Sequence, residues 1–145
     1  MATNEIFKYS DWISLPVPTG TLSGDPVVVG GATGLVGVAQ TTEGENVGTT
    51  TVYTPDQFGQ IPTSTGFNEA GYASVALTGA FAFTIDGGDA LEPGDPVNIS
   101  EGTGPDGRNE LVAAGSGTAR FGHVVNHTSD GRVVVRIANP AAAAA

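Results

Sequence analysis

One phrase occurs twice in the chain and limits what it can fold into. Gly24-Asp25-Pro26-Val27-Val28-Val29 returns seventy residues later as Gly94-Asp95-Pro96-Val97-Asn98-Ile99. Each copy reads as a turn followed by a short β-rich run. Asp caps the turn through its own side chain, and Pro fixes φ near the value a strand start tolerates, where no ladder donor is needed. A second phrase follows each copy, Leu35-Val36-Gly37-Val38-Ala39 and then Phe121-Gly122-His123-Val124-Val125. Two related β units in one small domain are therefore expected. Gly24, Asp25, Pro26, Gly94, Asp95 and Pro96 are assigned to structural turns rather than to chemistry.

Composition agrees with short strands. The chain has 145 residues, of which 22 are Gly and 9 are Pro, so long helices are disfavoured and one turn-rich domain is expected. The formal charge of −10 repels phosphates, so no nucleic-acid partner is expected. With no cysteine, disulfides and thiolate metal sites are excluded. No apolar run approaches the roughly 20 residues that span a bilayer, and the first residues lack a basic stretch followed by an apolar one, so neither membrane nor secretory signal is expected.

Along the chain, residues 1–22 stand apart. Ile6, Phe7, Tyr9, Trp12 and Leu15 lie among polar residues, and Pro16 and Pro18 favour extended backbone. This stretch reads either as a first strand of the β domain or as an extended arm that docks on a partner by strand addition. The arm is the expectation taken forward, with a single β domain over 23–140. Residues 40–71 are rich in Thr, Gly, Asn and Gln and read as a long exposed insertion. Residues 141–145, all Ala, read as a flexible tail. Tyr72 to Ile85 carries the clearest period of two, broken at Thr78-Gly79 where a bulge or corner is expected. Glu110 to Ala114 reads as a short strand or a helical turn, and Thr118 to Val125 as a strand. Asp130-Gly131 is a hairpin signal before a last strand with Val133, Val135 and Ile137 on one face.

Candidate chemistry is sparse. Val29-Gly30-Gly31-Ala32-Thr33-Gly34-Leu35-Val36-Gly37 has the glycine spacing of a dinucleotide-binding turn, using Gly31, Gly34 and Gly37. That motif needs a helix directly afterwards, to hold the pyrophosphate at its N-terminus. The residues that follow have no helical apolar face, so a β-turn between strands is the expectation. His123 and His127 would share a strand face about 13 Å apart, too far for one metal. The carboxylates are spread over turns, and no triad or calcium-loop spacing is present. No catalytic residue, metal or cofactor is expected. A carbohydrate-binding or adhesin-like module is the alternative from another class, with Tyr53 and Phe58 placed to stack on a sugar within residues 49–67.

Taken in order, the phrases Ala2-Thr3-Asn4-Glu5-Ile6-Phe7, Leu15-Pro16-Val17-Pro18-Thr19-Gly20, Ser23 to Gly30, Leu35 to Ala39, Ala73 to Phe81, Pro93 to Val97 and Gly131 to Ile137 resemble the capsid cement, or head decoration, proteins of tailed bacteriophages. The departure is 40–71, longer than the short link expected there. The resemblance implies an all-β fold, a small β-barrel of β-tulip type built from two related halves. It implies a virion protein, made in the bacterial host cytoplasm, that binds the outer surface of an assembled head. There it bridges major capsid protein subunits, as a homotrimer. Ile6, Phe7, Tyr9, Trp12 and Leu15 are then the expected capsid or inter-subunit contacts, because aromatic anchors dominate interface energy.

Overall fold

A computed structural model of the chain describes residues 12–44 and 69–139. Within them the strands are β1 (Trp12–Pro16), β2 (Pro26–Val29), β3 (Leu35–Ala39), β4 (Tyr72–Ala76), β5 (Ala80–Phe83), β6 (Pro96–Ser100), β7 (Glu110–Ala113), β8 (Ala119–His127) and β9 (Val133–Ile137). They form two antiparallel sheets, ordered β1-β4-β3-β2 (sheet one) and β5-β9-β8-β6-β7 (sheet two). Short turns of 3-10 helix at Gly31–Thr33, Gly88–Ala90 and Pro105–Gly107 join neighbouring strands, where Gly and Pro stop the ladders.

With β7 set aside, the two sheets share one connectivity. In each, the first strand lies beside the last, the last beside the third, and the third beside the strand that follows Gly-Asp-Pro. The registers match position by position. Pro26 faces Val38 as Pro96 faces His123, and Val27 faces Gly37 as Val97 faces Gly122. Ala39 faces Val75 as Val124 faces Val135. Leu15 faces Ala73 as Phe83 faces Val133. Gly122 thus stands where Gly37 does, and both are needed. A Cβ on Gly37 would lie 2.4 Å from Ala76 O, and one on Gly122 1.9 Å from Arg136 O. The match is offset by one residue from the phrase pairing read in sequence, and by one more before Phe121, which is a bulge: Val97 and Asn98 pair with Gly122 and Arg120 and skip it.

The sheets do not pack as mirror partners. Val97, Val124, Val133, Val135, Phe83, Ile85 and Ile137 form the front of sheet two and lie in the main core. Their counterparts in sheet one, Val27, Ala39, Ala73, Val75, Leu15, Val17 and Leu77, form a separate smaller cluster. Sheet one instead meets the main core with its back, through Val28, Val36 and Val38. The packing is front to back, and for that reason β3 and β4 are buried on both faces over most of their length. Phe121, fully buried by its bulge, stacks edge-on against Phe83 with ring centroids 5.7 Å apart.

The all-β expectation holds for the described residues, in two antiparallel sheets of four and five strands, while other expectations change. Trp12–Pro16 is the edge strand of sheet one, in register with Tyr72–Ala76, and not a free arm. Leu15 packs in the smaller cluster of this sheet. A strand is favoured here because Leu15 and Val17 add apolar side chains to the cluster of Val27, Ala39, Ala73 and Val75. The break at Thr78-Gly79 is more than a bulge, since β4 before it belongs to sheet one and β5 after it to sheet two. Glu110–Ala113 is a strand pairing with β6.

Candidate functional site

The two Gly-Asp-Pro turns are built alike, bond for bond. Asp25 Oδ2 accepts the Leu22 amide at 2.9 Å, and Asp95 Oδ2 accepts the Glu92 amide at 2.8 Å. Gly24 and Gly94 have φ of 94° and 99°, a left-handed backbone that only Gly adopts without strain. Each Gly amide donates to the third strand, to Ala39 O and Val124 O, both at 2.7 Å. The six turn residues singled out in sequence therefore fall at equivalent places in the two sheets, with their carboxylates spent on the fold.

Among the described residues, only the first turn is tied further. Arg108, after the Pro105–Gly107 turn, places Nη1 2.8 Å from Asp25 Oδ1, with both side chains largely buried. The pair lies in a groove of about 700 Å³ between sheet one and the β6–β7 excursion, also lined by Asp86, Asp89, Asn109 and Glu110. Asn109 is buried; its Oδ1 accepts the Gly102 amide at 3.1 Å, and its Nδ2 has no partner among the described residues. Within the groove Arg108 is the charge partner of Asp25.

Asn139, after β9, makes a second tie between the sheets. It gives Nδ2 to Val36 O at 2.8 Å and to Leu77 O at 2.6 Å, and accepts the Val36 amide at 2.7 Å. β3 pairs with β4 only from Val38 onward, so this amide side chain serves Val36 as a strand would.

A second groove, of about 680 Å³, runs over the back of sheet two. His123 and Arg136 face each other across β8 and β9 there, both exposed. Val125 is the bulge residue between Val124 and Asn126, and it is 43% exposed.

The remaining candidates separate. Gly31 starts a 3-10 turn and Gly37 lies inside β3, so a strand stands where the dinucleotide motif needs a helix. His123 faces solvent, whereas His127 is half-buried with Nε2 3.2 Å from Gly88 O; the Val125 bulge between them breaks their shared face. No three His, Cys, Asp or Glu residues among those described are grouped to hold a metal ion. Among the described residues, Asp130 is the one acid clearly displaced. The Thr128 hydroxyl, and then the Arg132 guanidinium, hold its carboxyl below the usual aspartate value. Ile6, Phe7 and Tyr9 lie outside the described residues, as do Tyr53 and Phe58 of the sugar-binding alternative and the tail over 141–145. The back groove of sheet two was not found by reading the sequence, because the exposure of Val125 depends on a bulge. Comparison of the chain with protein-family models, curated proteins and solved structures gave no match.

Proposed function

We propose that this chain is a structural virion protein that binds the exterior of a tailed-phage capsid and bridges major capsid protein subunits, assembling on the shell as a homotrimer. What supports this reading is the ordered series of phrases from residue 2 to residue 137, which resembles capsid cement proteins. The closed, tulip-like barrel that the resemblance implies belongs to the same proposal. So do the outer capsid surface as location and the absence of any catalytic role or cofactor.

What the chain contributes is an acidic framework of two sheets that share one core. A protein that binds only the assembled shell stabilises it by mass action, and many copies make modest affinities sufficient. Ile6, Phe7, Tyr9 and Trp12 remain the proposed capsid contacts. Leu15 does not, because its side chain packs within sheet one. The test is co-sedimentation of the purified chain with heads stripped of accessory protein. Saturable binding and a raised temperature of head disruption are expected. A chain lacking residues 1–11, which keeps β1, should fold and fail to bind. Equal binding by that truncated chain would remove the capsid contacts from this segment.

A further inference from the structure

The equivalence of the two sheets singles out one face. On the back of sheet one, Val38 and Ala76 pair across β3 and β4, and both are buried, Val38 within the main core. The equivalent pair on the back of sheet two is His123 and Arg136, and both are exposed. The surface around them is small and apolar. Exposed Ala80 lies on the far side of Arg136, and half-buried Pro96 on the far side of His123. The bulge in β8 turns Val125 out of the ladder, and it lines the same groove as the pair.

The charge of this face is the reverse of the chain's. The chain has 15 acidic residues and 5 basic ones, yet β5, β6, β8 and β9 contain no Asp or Glu. No carboxylate among the described residues lines the groove over this face. Three described arginines have an acceptor inside the chain: Arg108 pairs with Asp25, Arg132 with Asp130, and Arg120 donates to Asn98 Oδ1 at 3.0 Å. The Arg136 side chain has none among the described residues. A carboxylate opposite Arg136 would support the pairing of β8 with β9. The chain places His123 there instead, a second nitrogen donor. Folding alone does not call for these neighbours, and they leave an acceptor to come from outside.

We propose that the back of sheet two docks an extended, acidic segment of another protein, with a side-chain carboxylate on Arg136 and His123 and an apolar side chain against Val125. The guanidinium offers a planar fork that a carboxylate meets with two parallel hydrogen bonds. An extended segment sends every second side chain to one face, so an acid and an apolar residue spaced by two are presented together. The groove, of about 680 Å³, is within the roughly 300–1,000 Å³ of sites that hold compact ligands. Nucleic acid fits less well, because its many phosphates meet a chain of charge −10 and have no use for an exposed valine. The proposal does not rest on the capsid reading; its probe contains no head component, and either can fail alone.

The experiment is an amide NMR titration of the isotope-labelled full chain. The probes are a terminally blocked Val-Ser-Glu-Ser-Val peptide, the same peptide with Gln in place of Glu, acetate, inorganic phosphate and a short oligothymidylate. The Glu peptide should shift the amides of His123, Val125 and Arg136 saturably, and less at high salt. The Gln peptide should bind about tenfold or more weakly, the usual loss of a charge-assisted hydrogen bond. Arg136→Gln should weaken the Glu peptide to a similar degree, and Val125→Ser by severalfold through lost apolar contact. Both positions are exposed, so each variant should keep the wild-type spectrum elsewhere, which is the check on folding. Absence of shifts on this face with the Glu peptide would overturn the proposal. So would equal binding of the Gln peptide, or a folded Arg136→Gln chain that binds as wild type does. Acetate or phosphate matching the Glu peptide would reduce the face to a small-anion site, and saturation by oligothymidylate alone would make it a nucleic-acid site; either result overturns the protein partner.

Discussion

Asp25 and Asp95 each hold the amide three residues before them, and only Asp25 also carries an ion pair, with Arg108. Asp95→Ala should therefore cost about 1 kcal/mol, the net worth of one hydrogen bond. Asp25→Ala should cost about 2 to 3 kcal/mol, because it also leaves a largely buried guanidinium without its counter-charge. Urea unfolding of the two variants checks the difference. Equal losses would mean that the Arg108 pair contributes nothing. Gly122→Ala sets a methyl against Arg136 O and Gly37→Ala sets one against Ala76 O, so each should destabilise by about 1 to 3 kcal/mol. Asp130 gives the pH dependence at this scale. Its folded pKa lies below its ordinary value, so the hairpin is supported above the ordinary aspartate range and loses that support as pH falls through the folded value. The group is fully exposed, so the effect is read by NMR titration rather than by global stability. Thr128→Val should move the Asp130 midpoint upward, since the hydroxyl that holds it down is gone.

The strands show which part of the fold can be read from sequence. Val133, Val135 and Ile137 alternate in sequence and are buried together, because β9 pairs without interruption along β5. β8 is different: Phe121 is skipped on the β6 side and Val125 on the β9 side. A bulge is fixed by what the neighbouring strands offer, so it leaves no periodic trace in its own strand. That is why the exposure of Val125 has no signal in the sequence. The Thr78-Gly79 break was legible as a bend, but the change of sheet there was not, since it depends on pairing with β9 more than fifty residues later. β1 was open to two readings because its sequence lacks a partner nearby; its pairing with β4 across residues 17–71 decides it. Phe121→Ala should cost about 3 to 5 kcal/mol, the usual loss for a fully buried aromatic. Asn139→Ala should cost about 1 to 3 kcal/mol by unpairing the backbone of Val36. Thermal melts of both variants test these values.

At the scale of the whole molecule, the same unit is used twice in unequal settings. Sheet one gives its back to the core that sheet two builds with its front, and the shared residues Val28, Val36 and Val38 make the two sheets one cooperative body. Val36→Asp would place an unpaired charge in that core and should abolish folding of both sheets together; loss of one sheet with the other intact would contradict a single core. The repeat was visible in Gly24-Asp25-Pro26 and Gly94-Asp95-Pro96, but its front-to-back arrangement was not, because equivalent positions carry Val28 in one copy and Asn98 in the other. The proposed capsid role rests on the order of phrases along the chain, and it is tested most directly by cryo-electron microscopy of phage heads with this chain present and after its removal. Density for the two sheets at threefold or quasi-threefold positions on the outer surface, lost on stripping, is the required result. Heads that are identical with and without the chain would contradict it.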